Sequence, residues 1–313
     1  MMNANESSDA RLALVERFFE GTGASYDFMV NVATLGIDRL WKRRLVNLIP
    51  PNPTRVLDLA CGTGISTLAI AKRHPGCQVV GVELRDEYLA LARAKRMRQA
   101  RANIELVLGR AEDYRSDQPF DCITSSYLAK YAELPRLCRN AHAMLKPGGV
   151  FLAHDFTYPP KAYLVRIWRL YFGILQHAGS RLFPTWREIY FGLPELIEQS
   201  PWVEDLQQAL EESGFVDIRR DDLTLYGSAI VRARKPAAGR SEPAGPVADP
   251  KIIADQGAMP VKPIPSIRSR TDVGPVQPRE RSKRDGDDYQ GTSRNEAHGP
   301  HHRSRGGPGT RVA

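Results

Sequence analysis

Blocks of apolar and polar residues with two different periods fill the first 235 positions of the chain. Short apolar runs bounded by turn residues predict strands at 55–59, 78–83, 104–108, 121–125 and 150–155. Between them, apolar positions three and four apart predict helices at 65–73, 86–101 and 133–144. Two more helices are predicted upstream, Arg11 to Phe19 and Leu35 to Ile49. In the second, Trp41 and Leu45 share one face, while Lys42, Arg43 and Arg44 fall largely on the other. Pro50, Pro51 and Pro53 end it. A helix at 203–213 stops at Gly214, and strands near 216–221 and 224–233 read as a closing hairpin. Residues 160–200 interrupt the alternation with aromatic-rich helical sequence. Strands separated by helices predict an α/β fold: a doubly wound, mostly parallel seven-stranded sheet with an antiparallel edge hairpin and a helical cap.

The first strand ends in Asp58-Leu59-Ala60-Cys61-Gly62-Thr63-Gly64. An apolar run breaking into Gly-x-Gly places bare backbone where a ligand meets the carboxyl end of a parallel strand. Nineteen residues after Gly64 the next strand ends in Glu83. A carboxylate there is suited to accept two hydrogen bonds from the paired hydroxyls of a ribose. Together they describe a nucleoside-binding βαβ unit. Position 67 is Thr, so the third glycine of a dinucleotide fingerprint is absent and the NAD reading weakens. No Gly-Lys-Ser/Thr follows, which excludes a Walker-type phosphate loop.

Residues 236–313 change the picture of the rest. They hold eleven Pro and ten Gly, with Tyr289 their single aromatic. Such a segment cannot bury enough apolar surface to offset its ordering entropy, and is expected to be a disordered tail. It carries thirteen Lys/Arg against nine Asp/Glu, half of the chain's net charge of +8. The excess is dilute. It reads as solvated surface, with loose attraction to anionic lipid as the alternative and no specific nucleic-acid partner expected. Four cysteines without a Cys-x-x-Cys pair argue against a zinc site and for buried thiols in a reducing compartment. The polar N-terminus shows no signal peptide, and no run of eighteen apolar residues predicts a membrane span. The expected location is cytoplasmic, with peripheral contact at the inner face of the membrane.

With these residues in view, the chain resembles the class I S-adenosylmethionine-dependent methyltransferases. Asp58–Gly64 looks like their first signature and Glu83 like their ribose-binding acid. Gly109-Arg110-Ala111-Glu112 looks like the segment beside the adenine, and Leu145-Lys146-Pro147-Gly148-Gly149 like the turn before the fifth strand. Within that superfamily it is most similar to the ubiquinone/menaquinone biosynthesis C-methyltransferases. Tyr26-Asp27-Phe28-Met29-Val30-Asn31 and Leu35 to Arg43 resemble that family's N-terminal signature; Ser213-Gly214-Phe215 and Leu223 to Val231 resemble its C-terminal hairpin.

The resemblance implies a Rossmann-like fold, S-adenosyl-L-methionine as cofactor and a small hydrophobic acceptor, a prenylated quinol the leading case. It divides the chain into an N-terminal helical cap segment (1–50), a methyltransferase domain (51–235) with a helical insertion on the substrate side (160–200), and the tail. It implies cofactor contacts from Asp58, Gly62, Thr63, Gly64, Glu83, Arg110, Ala111 and Ser126. Arg110 departs from the family, which has Asp or Asn there; a guanidinium cannot accept a hydrogen bond from an adenine amino group. Tyr127-Leu128-Ala129-Lys130-Tyr131 departs too, replacing a Gly-Leu-Arg-Asn segment that faces the substrate.

Carbon methylation of a hydroquinone needs a ring hydroxyl that is deprotonated or strongly hydrogen-bonded, and a base for the departing ring proton. Tyr26, Asp27, Lys130, His154 and Asp155 are the candidates. Tyr26 and Asp27 have packing and helix capping as competing roles, Lys130 that of a solvated surface lysine, and His154 a structural one. Residues 163–172, with Phe183, Trp186, Tyr190 and Phe191, are suited to a lid over a prenyl tail, or to a membrane surface with Arg166, Arg169 and Arg181 near headgroups. Two competing readings are methylation of a phospholipid amine or small phenol, and a non-catalytic nucleoside-binding protein with a basic tail.

Overall fold

Alternation within each strand builds the two faces of the sheet. Leu57 and Leu59, Val80 and Val82, Ile123, and Phe151 and Ala153 point to one face. Their neighbours Val56, Val79, Cys122 and Leu152 point to the other. This is the period-two arrangement of a sheet covered on both sides. The computed structural model describes residues 4–237. Seven strands run in the order β3-β2-β1-β4-β5-β7-β6. They are β1 Arg55–Leu59, β2 Gln78–Glu83, β3 Ile104–Leu108, β4 Phe120–Ser126, β5 Leu145–Phe156, β6 Val216–Leu223 and β7 Ser228–Arg234. β1 to β5 pair in parallel, and β7 runs antiparallel to both β5 and β6. The predicted doubly wound sheet with its edge hairpin is the observed one.

Ten helices cover the described residues: α1 Ala4–Phe19, α2 Tyr26–Ala33, α3 Ile37–Asn47, α4 Ile65–Arg73, α5 Asp86–Arg98, α6 Leu134–Met144, α7 Ala162–Ile174, the single turn α8 Ser180–Leu182, α9 Arg187–Gln199 and α10 Trp202–Glu212. α6 and α10 pack on one face of the sheet and α3 and α4 on the other. A third apolar cluster lies outside the sheet, where Phe18 and Met29 meet Tyr131, Trp186, Ile189 and Tyr190. It joins the N-terminal helices to the 160–200 insertion and forms the cap.

Three local differences from the expected pattern have physical causes. β5 begins at Leu145 rather than 150, because pairing jumps from Phe120–Leu145 to Cys122–Val150 across an irregularity. The Lys146–Gly149 turn is thus a bulge inside the strand. Residues 224–226 form a single 3-10 turn, so β7 starts at Ser228. Leu35 and Leu225 sit at loop tips with φ of 51° and 53°, left-handed values that cost a bulky side chain roughly 1–2 kcal/mol. All four cysteines are free and buried. The expected tail lies outside the described residues apart from Pro236 and Ala237. No helix of the described residues is long and apolar enough to cross a membrane.

Candidate active site

The carboxyl ends of β1, β2, β4 and β5 meet at one edge, where open parallel sheets bind ligands. The Gly62–Gly64 loop leaves β1 there. Gly64 has φ +83°, and a Cβ on it would lie 3.0 Å from the Cβ of Ala92 on α5. Only glycine lets the loop turn this close to α5. At the tip of β2, Glu83 Oε2 accepts the Gly62 backbone N–H at 2.9 Å and Oε1 accepts that of Arg85 at 3.0 Å. The carboxylate therefore fixes the loop whose backbone a ligand would approach. Burial raises its pKa, and the Arg85 and Gly62 N–H groups oppose the rise.

Asp58 is placed differently from expectation. It is 1% exposed, Oδ2 accepts the Thr67 hydroxyl at 2.7 Å, and Oδ1 accepts the Thr124 hydroxyl at 2.8 Å. Both oxygens are bonded to hydroxyls inside the protein, so the contacts the structure gives Asp58 are those of a brace for the loop. Thr67, standing where a dinucleotide fingerprint has glycine, ties α4 to β1 through this bond. Burial lifts the Asp58 carboxyl from 3.8 to about 6, against the two hydroxyl bonds that lower it. A raised carboxyl pKa favours the folded state most at low pH, and the advantage is lost as pH rises from about 4 to about 6. The loss is about 3 kcal/mol, at about 1.4 kcal/mol per tenfold change in protonation. Asp58→Asn removes the titration. Its unfolding free energy relative to the native chain should climb by about that amount between pH 4 and pH 7, measured by urea denaturation. A flat difference would reject the assignment.

Asp27 reaches the same loop. The Thr63 hydroxyl donates to Asp27 Oδ1 at 2.5 Å, Lys95 donates to its Oδ2, and Lys95 Nζ donates to the Thr63 carbonyl at 3.0 Å. Asp27 is thus a strap from α2 to the glycine loop and α5; it does not line the cavity described below. Ser126, at the tip of β4, has a buried hydroxyl with no hydrogen-bond partner among the described residues. Between the tips of β2 and β3 lies a slot of about 50 Å³. Ala60, Val82, Leu84, Gly109, Arg110 and Ala111 wall it, and Leu12 and Val15 of α1 close it. Arg110 pairs there with Glu112 and Asp113 at 3.6 and 3.9 Å. A glycine-lined loop, a carboxylate at the next strand tip, an apolar slot and an orphaned hydroxyl fit the sugar, base and amino-acid parts of a nucleoside-derived ligand.

A larger cavity of about 330 Å³ opens beyond this edge, under the cap. α1, α2, α7, α9 and the turn before α9 supply an aromatic and aliphatic lining that includes Phe19, Trp168, Trp186 and Tyr190. Lys130 and Asp155 are the charged side chains of that lining. Their side chains are 1% and 0% exposed, and Lys130 Nζ donates to Asp155 Oδ1. The Phe156 N–H donates to the same oxygen at 2.8 Å. Asp155 Oδ2 is buried and has no partner among the described residues. Burial lowers the Lys130 pKa, and Asp155 opposes the shift. Lys130 is therefore not the solvated surface lysine that its sequence allowed.

Tyr26 lines the cavity, and burial holds its pKa well above the usual phenol value. It stays protonated at neutral pH, which does not suit it to act as a base. His154 is not among the lining residues. It packs against Trp41 and Tyr127, with ring centroids 5.8 and 5.0 Å away. The Ser228 hydroxyl donates to the Asp155 carbonyl, so its oxygen accepts the His154 Nε2 proton, each at 2.8 Å. Burial, with Lys42 and Lys130 adding, drops the imidazole pKa well below its usual value. His154 is a neutral packing group behind the cavity wall. The structure thus brings Tyr26, Lys130 and Asp155 to the cavity and leaves Asp27 and His154 out of it.

Sequence reasoning missed a second buried cluster. Lys42, assigned to the solvent face, donates to Asp38 at 2.5 Å and sits 4.7 Å over the Tyr127 ring. The Tyr127 hydroxyl donates to Asp38 Oδ1 at 2.6 Å. The i, i+4 spacing of Asp38 and Lys42 was the available signal.

The family model for the ubiE/COQ5 methyltransferase family matches residues 1–235. The chain belongs to that family. It is 31% identical to a demethylmenaquinone methyltransferase of Thermus thermophilus, over 68% of this chain and 97% of that protein. It is 28% identical to the mitochondrial 2-methoxy-6-polyprenyl-1,4-benzoquinol methylase of Pongo abelii, over 70% of this chain and 78% of that one. Among solved structures, human N-acetylserotonin methyltransferase in complex with SAM shares the fold, with a TM-score of 0.50 and 16% identity over 72% of this chain and 59% of that one. The protein is an S-adenosyl-L-methionine-dependent methyltransferase. Its Rossmann-like sheet and cofactor agree with the sequence reading, and the non-catalytic alternative is not favoured.

Proposed function

We propose that the enzyme C-methylates a prenylated quinol. The observation that supports this reading is the buried Lys130–Asp155 pair in the wall of an otherwise uncharged cavity. At about 330 Å³ the cavity is in the range of small-molecule sites, roughly 300–1,000 Å³. Its long aromatic lining suits an isoprenoid chain, and its one charged pair suits a ring hydroxyl. The bound cofactor supplies an electrophilic methyl group. Asp155 Oδ2 accepts the hydroxyl proton, and Lys130 stabilises the phenolate charge through short-range attraction in a dry site. Electron density rises at the ortho carbon as that proton shifts; once the carbon is methylated, Asp155 returns the proton to the ring oxygen and its freed carboxylate takes the departing ring proton. Glu83, Ala111 and Ser126 hold the nucleoside and amino-acid ends, with Thr63 and the glycine loop fixed by Asp27 and Lys95. The cap excludes water and aligns the two reactants.

Purified enzyme incubated with S-adenosylmethionine and reduced demethylmenaquinone should yield a product with the new methyl group on ring carbon, read by NMR. Methyl transfer to a phenolic oxygen or a phospholipid amine instead would reject the quinol reading and leave the enzyme class standing.

A further inference from the structure

α7 carries apolar residues on two neighbouring faces. Leu164, Trp168 and Phe172 turn into the cavity. Tyr163, Ile167, Leu170 and Ile174, spaced four, three and four apart, form a single stripe on the outside. Each is 56–68% exposed. A second group of exposed apolar residues stands on α2 and α3, where Phe28 contacts Phe183 at 6.0 Å between ring centroids.

The cavity mouth joins these surfaces. Leu35, Ile167 and Leu225 line the cavity and are also 77, 56 and 67% exposed. Leu35 and Leu225 hold left-handed backbone conformations that leucine disfavours, each at a loop tip. In water, both the strain and the exposure are unfavourable. Cations border the apolar surface. Lys161 Nζ lies 5.9 Å from the Tyr226 ring beside Leu225, and Arg187 lies 5.3 Å from the ring of Phe191. Between 161 and 191 the chain has five Lys/Arg and one Glu. That Glu, Glu188, faces Arg17 at 3.8 Å.

We propose that this face docks on an anionic lipid bilayer, with the α7 stripe and the Leu35 and Leu225 loop tips in the acyl boundary and the cations at the headgroups. Apolar surface plus bordering positive charge is the chemistry of interfacial binding. The cavity then opens into the bilayer, and its acceptor enters sideways without crossing water. The last point rests on the reading of the cavity as an acceptor pocket; the docking itself does not.

The test is flotation of the full chain with phosphatidylcholine vesicles, with and without phosphatidylglycerol, in the absence of cofactor and acceptor. The native chain should float with the phosphatidylglycerol vesicles and less with phosphatidylcholine alone. Leu170 and Ile174 line no cavity, and the double variant L170E/I174E should keep its melting temperature and its turnover of a soluble short-chain acceptor. Its vesicle affinity should fall by about tenfold or more. Arg166→Gln/Arg181→Gln should lose the phosphatidylglycerol preference. Equal flotation of L170E/I174E and the native chain would overturn the proposal and assign binding to another surface. So would failure to float at all, with a dimer that L170E/I174E dissociates. If docking holds while quinol methylation fails, the acceptor reading alone is wrong.

Discussion

Replacing Lys130 with methionine is expected to lower the unfolding free energy by about 3–5 kcal/mol, because it strands a carboxylate that is fully buried. Lys130 and Asp155 lie 1% and 0% exposed, so water cannot take over the lost partner. The double variant Lys130→Met/Asp155→Asn should recover most of that stability. It removes both charges, and the asparagine oxygen still accepts the Phe156 N–H. Turnover should not recover with it. If the pair takes the acceptor proton and stabilises the phenolate, the double variant should stay slower by at least about a hundredfold. Urea denaturation and steady-state kinetics on the same preparations separate the two effects. A stable double variant with native turnover would confine the pair to structure.

Glu83→Ala should weaken S-adenosylmethionine binding by about a hundredfold or more. Glu83 has two expected tasks: it accepts the Gly62 and Arg85 N–H groups, and it is placed to meet the ribose hydroxyls. Hydrogen bonds to a charged group are worth about 1.5–3 kcal/mol each, so losing two exceeds a hundredfold. Calorimetric titration measures it directly. Glu83→Gln should retain part of the affinity, since an amide oxygen still accepts one of the backbone groups. Undiminished affinity in Glu83→Ala would mean that the carboxylate only braces the loop.

Much of the fold is written locally. β1 to β4 are apolar runs ended by turn residues, and each lies within a residue of its predicted bounds. The edge hairpin was legible because Gly214 and the alternation after it are local signals. α2 was not, since it is eight residues long and Ser25 gives it no side-chain cap. Its stability comes from the cap cluster through Met29, which no local pattern reports. The same limit governs the site. Gly64 and Glu83 announce themselves through the residue types that a turn and a strand tip demand. The partner of Lys130 lies 25 residues away on a neighbouring strand, and that of Lys42 includes a ring 85 residues away. Charge burial depends on those long-range neighbours, so sequence set Lys42 on the polar face of its helix and left Lys130 between a site role and solvent. His154 is the converse case. A strand-end histidine reads as either a base or a structural group, and the packing of Trp41, Tyr127 and Ser228 around it matches the structural role.

Tyr131 lines both the slot beside Arg110 and the large cavity. A single ring is thus the party wall between two chambers. Any change in its size or tilt is felt by the occupant of each, so selection cannot tune the chambers independently at this position. Drift toward a new acceptor would first have to pass through residues such as Leu193 or Ile197, which line only the larger chamber.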